Sequence, residues 1–233
     1  MIGTILNVIA VWIGGGIGML FGAKIPDRLK DTVISGMGLF TTAIGFKLFL
    51  KTENELIVLG GIVIGSLIGE ALHIEDGLHH LGAWLEKRFA GGGDEEANKF
   101  IRGFLTASLL FCIGPMTIIG SINDGLRGDY NLLAIKSVLD GFASIAFAST
   151  LGVGVLFSSI IVLLYQGGIT LLAAQLNAIL SDAMMMEMTA AGGVLLMGIG
   201  VSSLLELKKI RVGNMLPALV IAPLIVWLAG LIQ

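Results

Sequence analysis

Charge is scarce in this chain. Only 13% of its 233 residues are Asp, Glu, Lys or Arg, against roughly 25% in soluble domains. With 55% hydrophobic residues and a mean hydropathy of +0.95, that shortage excludes a soluble globular protein. A net charge of -3 selects no partner, and no basic stretch could follow a nucleic acid backbone. The single cysteine, Cys112, excludes an intrachain disulfide and, inside an apolar run, reads as a small packing residue. None of the three histidines falls inside an apolar span, His73 standing at the very end of one, and there is no HExxH helix, nucleophile paired with a base, or phosphate-cradling glycine loop. An enzyme is therefore the least expected class, and no cofactor is called for. The N-terminal MIGTILNVIAVWIGGG lacks the basic start and cleavage site of a signal peptide, so it reads as the first membrane span.

What the chain has instead is a succession of apolar windows, each long enough to cross a hydrocarbon core of about 30 Å. Hydropathy places eight helices, at about 2–22, 33–51, 55–73, 101–121, 131–149, 151–173, 189–207 and 212–232. Residues 131–173 run almost unbroken, but one helix of that length would be roughly 65 Å long, so a tight turn is expected near Ser149 to Gly154. The basic residues support this count. Ten of the 14 lie in the first, third and seventh loops (Lys24, Arg28, Lys30; Lys87, Arg88, Lys99, Arg102; Lys208, Lys209, Arg211). Eight spans put those loops on one side, which the positive-inside rule makes cytoplasmic, with both termini outside the cytoplasm. The expected fold is an all-α, polytopic membrane bundle forming one integral membrane domain over residues 1–233.

Glycine suggests how the helices pack. Gly14, Gly18 and Gly22 in the first helix, and Gly61, Gly65 and Gly69 in the third, form stripes that let backbones approach closely in lipid. Either the two helices pack on each other, or a stripe serves a homo-oligomer. A weak internal repeat, GLFTTAIG at Gly38 to Gly45 and GVLLMGIG at Gly193 to Gly200, would relate halves 1–73 and 151–233 around a central hairpin 101–149. The odd offset in helix number would make the repeat inverted, as in many secondary transporters.

Between the third and fourth spans, Leu78, Leu81, Trp84, Leu85 and Phe89 recur at helical spacing opposite His80, Glu86 and Lys87. This describes an amphipathic helix lying in the interface, ended by Gly91 to Gly93. His73, His79 and His80 beside Glu70, Glu75 and Asp76 follow no recognised metal-ligand spacing and read as a polar interfacial face. Met184, Met185, Met186 and Met188 read as a packing or lipid-facing cluster rather than a soft-metal site. Whether any metal binds is left open.

The chemistry is concentrated in Cys112 to Thr150. Pro115 removes a backbone donor and disfavours helix at Gly114, so the fourth span should be kinked or broken in the membrane. Asn123 and Asp124 follow in a polar loop expected from Ser121 to Tyr130. Lys136, Asp140 and Ser144 then recur every four residues and share one helix face, with Asp140 at the centre of its span. An ionisable group at that depth is costly and marks either a transport path or a buried structural ion pair with Lys136.

GTILN at the start, IGPMTIIGSINDGLRGD with KSVLDGFAS in the centre, and LKKIRVGNMLPAL near the end resemble the YdfK/YqgA-type bacterial inner-membrane proteins, a family with a domain of unknown function. The resemblance covers nearly the whole chain. It implies a multi-pass protein of the bacterial cytoplasmic membrane and supplies no substrate or site residues. The shorter LDGFAS, with Gly141 where the family has alanine, is similar to the LDAFAVS stretch of manganese-efflux proteins of the lysine-exporter superfamily. In that family the aspartate belongs to the cation path, which by resemblance is Asp140 here.

The leading expectation is a transporter or permease for a small ion or solute, cations preferred. Its path would comprise Asp140, Lys136 and Ser144, the break at Pro115, and Asn123 with Asp124. An oligomeric ion channel is the near alternative. A non-transporting membrane scaffold or sensor is the alternative of a different class. The expected partners are the lipid bilayer, the transported solute and further copies of the chain.

Overall fold

A computed structural model describes residues 1–22, 26–89 and 94–231. Lys24 and the expected glycine stop at Gly91 to Gly93 lie outside the described residues. The chain is all-α, without a strand among the described residues. Its helices are α1 (Ile2–Gly22), α2 (Asp27–Phe49), α3 (Glu55–Ala71), α4 (Ile74–Phe89), α5 (Asp94–Cys112), α6 (Pro115–Arg127), α7 (Asn131–Leu151), α8 (Gly154–Leu171), α9 (Ala173–Ile179), α10 (Asp182–Ile199) and α11 (Ala218–Gly230). A π-helical turn, Gly200–Leu204, extends α10, and a 3-10 turn, Val212–Met215, precedes α11.

Six of these stretches are long and apolar enough to cross a membrane unaided, and two bent pairs bring the number to eight: α3 with α4, bent by 56°, and α5 with α6, bent by 61°. The helix α3 alone has 17 residues, about 26 Å of rise. His73, with φ of 52°, turns the chain out of it into the charged, amphipathic α4. The turn between the fifth and sixth spans falls where length required it, at Gly152 with φ of 78°, a conformation that glycine adopts at little cost.

Several boundaries differ from the hydropathy reading; α5, for one, begins at Asp94 rather than near residue 101. The helix α2 begins at Asp27 rather than near residue 33. Ser181 caps α10 by accepting from Met184 N at 3.3 Å, so the methionine cluster is helical. Ser121 to Arg127, expected as loop, continues α6 until Gly128 ends it in the left-handed conformation, because Ile118 and Ile122 bury one face of the segment.

The chain divides into two compact units: Met1–Gly36 with His79–Ala178, and Met37–Leu78 with the residues from Ile179 on. In the first, α1 lies parallel to α7, with Gly14, Gly18 and Gly22 facing the backbones of Gly141, Ile145 and Ser149 in turn. A Cβ added at Gly22 would come within 2.6 Å of the Ser149 carbonyl oxygen. The helix α8 runs antiparallel to α1, joined by Trp12 Nε1 donating to Ser159 Oγ at 2.8 Å. Phe100, Ile101 and Phe104 of α5 pack with Leu85 of α4, and Phe157 of α8 stacks at 5.3 Å from both Phe89 and Phe100. On α4 the helical period holds, but Glu86, expected on the open polar face, is buried at 8% exposure because it borders the Gly82 and Leu85 contact surface.

In the second unit, α3 lies antiparallel to α11, with Gly61 and Gly65 against Ala222 and Ala218, and Gly69 against Asn214. The helices α2 and α10 are likewise antiparallel, Gly45 meeting Gly193 and Gly38 meeting Leu204 and Leu205. Each glycine stripe therefore has a partner that the sequence reading did not name. The first fits α7 and the third fits α11, because those helices present glycine, alanine or bare backbone where the stripe is smooth. All of these helix directions agree with eight alternating spans.

Leucine at Gly18 or Gly65 would drive a side chain into the backbone of Ile145 or Ala218. Each variant should lose about 1 to 3 kcal/mol or more and melt lower in detergent. Gly16, with nothing within 4 Å of its Cβ position, supplies the control, and Gly16→Leu should leave the melting curve unchanged.

Candidate functional site

Besides its apolar core, the first unit turns several polar side chains of its helices inwards and many large apolar ones outwards. Thr4, Asn7, Ser121, Ser144 and Gln166 are 0% exposed, whereas Trp12, Leu20, Phe142 and Leu164 are more than half exposed. That is the distribution of a bundle in lipid, where a polar side chain is stable only inside.

The close approach of α1 to α7 brings Asn7 onto Asp140. Asn7 Nδ2 donates to Asp140 Oδ2 at 2.9 Å and to Gln166 Oε1 of α8 at 3.1 Å. Gln166 Nε2 in turn donates to Thr4 Oγ1 at 3.3 Å, and Thr4 and Thr170 share a hydroxyl contact at 3.4 Å. On the other side of Asp140 the Lys136 ammonium pairs with the same Oδ2. The result is a continuous buried chain, Lys136–Asp140–Asn7–Gln166–Thr4–Thr170, crossing three helices.

Asp124 forms a second limb. Its Oδ2 accepts from the backbone N–H of Gly3 at 3.1 Å and lies 2.9 Å from the Met1 amino nitrogen, with the carboxyl 1% exposed. Asn123, its neighbour on α6, is half-buried and joins none of these bonds. Thus Asp140 and Lys136 are brought together, Asp124 is anchored on α1, and Asn123 stands apart.

The break before α6 has a local cause and a local repair. Gly114 adopts φ of 144°, and Pro115 begins α6 with no backbone donor for the carbonyl of Phe111 one turn earlier. Thr117 Oγ1 donates to that carbonyl at 3.2 Å. Nearby Phe111 packs on Phe147 of α7, with ring centroids 6.4 Å apart.

Among the described residues, five buried side-chain oxygens make no hydrogen bond within the protein: Asn7 Oδ1, Thr106 Oγ1, Ser108 Oγ, Ser121 Oγ and Ser144 Oγ. All belong to the first unit, on α1, α5, α6 and α7. Buried polar atoms are otherwise nearly always paired, and of these Asn7 Oδ1 belongs to the amide that bonds Asp140 while Ser144 lies one turn from Asp140 on α7.

The sequence reading missed Thr4, Asn7 and Gln166, although each is a polar residue in an otherwise apolar span, the same signal that drew attention to Asp140. It also missed Glu187, in the second unit. This carboxylate is 3% exposed and accepts from Thr52 Oγ1 at 2.6 Å, Glu53 N at 2.9 Å and Asn54 N at 3.2 Å, tying the α2–α3 turn to α10. At the other end of that unit, Asn214 Nδ2 donates to Glu70 Oε2 at 2.6 Å and Arg211 pairs with Glu70. Gly213 N donates to Glu75 Oε2 at 2.6 Å, and partial burial raises the Glu75 pKa above the usual carboxylate value despite that bond and the nearby Lys209 and Arg211. His73 contacts Asp76 at 3.2 Å with both side chains exposed. Among the described residues no three His, Cys, Asp or Glu side chains gather as metal ligands.

The sequence from residue 2 to residue 227 matches the model of a protein family described as protein of unknown function, DUF554. The chain belongs to this family. It is similar to the uncharacterized membrane protein YdfK of Bacillus subtilis, with 31% identity over 236 residues covering 97% of this chain and 96% of the relative. It is also similar to the uncharacterized protein YqgA of Escherichia coli, with 33% identity over 223 residues, 95% of this chain and 94% of the relative. No solved structure matches it. The chain is thus a membrane protein of a family whose members span its whole length, as the central motif implied.

Asp140→Asn separates a load-bearing ion pair from a site group by stability. If the pair only holds the bundle together, the variant strands the Lys136 ammonium and should lose about 3 to 5 kcal/mol. The contact to Asn7, which Gln166 holds in turn, leads us to expect a smaller loss, because an amide keeps a hydrogen-bonding oxygen there. Melting curves of Asp140→Asn, alone and with Lys136→Met, measure it.

Proposed function

We propose that the protein is a transporter or permease for a small ion or solute, cations preferred, with Asp140 as its central site. The observation that carries this reading is the buried chain around Asp140, which lies among helices that also hold unpartnered oxygens. A carboxylate with oxygen ligands around it suits a hard cation or a proton. Lys136 then acts as the resident countercharge that an incoming cation must displace. The break at Gly114 and Pro115 supports the reading, since discontinuous helices are tolerated where they line a cavity.

The setting is the bacterial cytoplasmic membrane, with both termini outside the cytoplasm. The bacterial relatives support the first part. Lys30 with Lys99 and Arg102, from the first and third loops, meet around one pocket at one end of the first unit, which supports the second. Self-association, if it occurs, uses surfaces other than the two glycine stripes, because those are occupied within the units.

Flux into proteoliposomes tests the function. Protons, sodium, potassium and manganese are offered in turn under an imposed gradient. At least one should enter through the wild type, and Asp140→Asn, still folded, should abolish that entry. Undiminished flux through the variant would remove Asp140 from the path. A wild type that moves none of these cations would leave the scaffold or sensor reading as the better one.

Orientation is tested separately by labelling. A cysteine at Arg28, in a variant lacking Cys112, should resist a membrane-impermeant thiol reagent added to intact cells and react after the membrane is opened. Reaction in intact cells would invert the topology.

A further inference from the structure

A pocket of about 390 Å³ opens at one end of the first unit, between the start of α2, the start of α5 and the last turn of α7. Among the described residues, Lys30, Lys99 and Arg102 line it with the Asn98 amide and the carboxylate of Asp31. Its apolar walls are Ile34 and Leu151.

The pocket sits where charge gives way to hydrocarbon. After Lys99 and Arg102, α5 and α6 carry no further basic residue until Arg127, and after Asp31 the helix α2 carries no charge until Lys47. Phe100 and Ile101, adjacent to Lys99, already belong to the buried core. The basic groups therefore lie at the level of lipid headgroups while the pocket's apolar wall continues towards the acyl chains.

We propose that this pocket binds the phosphate of an anionic phospholipid. Arg102 can hold two phosphate oxygens at once, and Lys30 and Lys99 add compact charges beside it. Lys30 and Arg102 also engage the protein itself, but an ammonium has three N–H donors and a guanidinium five, more than a single partner takes up. Lys99 has a second face, towards a neighbouring pocket that contains Glu86 and Glu96. Those carboxylates make that neighbouring pocket unfavourable for an anion, so the phosphate belongs on the Arg102 side. Basic pockets between helices on the cytoplasmic side are where anionic headgroups bind. The lipid source rests on the orientation proposed above, whereas the recognition chemistry depends on the pocket alone and not on transport.

The test uses the full-length protein in neutral detergent, with thermal unfolding followed as phosphatidylglycerol, phosphatidylcholine or inorganic phosphate is added. Phosphatidylglycerol should raise the melting temperature saturably, and the other two should not. Lys99→Gln with Arg102→Gln should weaken the phosphatidylglycerol response roughly twenty-five-fold, from about a factor of five for each cation. The charge-matched control Lys47→Gln with Lys51→Gln should respond as wild type. Should the double variant fail to fold, Lys99→Gln alone removes an exposed side chain and should show the fivefold effect. Equal stabilisation by phosphatidylcholine, or an unchanged response in the Lys99 variants, overturns the proposal. An equal effect of inorganic phosphate overturns the lipid source and leaves a soluble-anion site.

Discussion

The arrangement of the first unit depends on one close approach, that of α1 to α7. Two helices can touch backbone to backbone only where side chains are missing, and Gly14, Gly18 and Gly22 clear that space along one face of α1. With α1 seated there, Asn7, two turns before Gly14 on the same buried face, has no freedom about where its amide goes. It meets Asp140, and the antiparallel α8 brings Gln166 to its other side. A contact made entirely of glycine and backbone therefore fixes the geometry of a site that contains neither.

The same constraint shows how much could be read from the sequence. Hydropathy and the distribution of lysine and arginine gave the spans, because lipid imposes length and apolarity on every helix independently of its neighbours. The break at Pro115 and the turn at Gly152 were legible because proline and glycine act on their own backbone. The partners of the glycine stripes were not. A smooth face states that something comes close and does not say what, and α7 accepts α1 through Gly141 and through the carbonyls of Ile145 and Ser149, which carry no side-chain signature. Asp140 was legible because charge in a span is conspicuous. Asn7 and Gln166 carry the weaker signal of neutral amides, which a mean hydropathy dilutes. Asp124 was visible but misplaced, because a polar tripeptide in one window looks like a loop until Ile118 and Ile122 are seen to bury the opposite face of a helix.

Two buried carboxylates now allow a comparison that neither permits alone. Glu187 accepts from three donors, two of them backbone N–H groups of a turn, and its role is complete: it holds that turn against α10. A carboxylate used in this way has its hydrogen-bonding capacity filled by the fold. Around Asp140 the fold stops short. Both of its partners converge on Oδ2, the amide that reaches it leaves its own carbonyl oxygen unpaired, and Ser144, one turn away, is buried without a partner. In a low-dielectric interior such a deficit is costly, and a purely structural network would be expected to close it as the one around Glu187 is closed. The unsatisfied oxygens of Asn7 and Ser144 thus set the surroundings of Asp140 apart from those of Glu187, whose hydrogen-bonding capacity the fold fills.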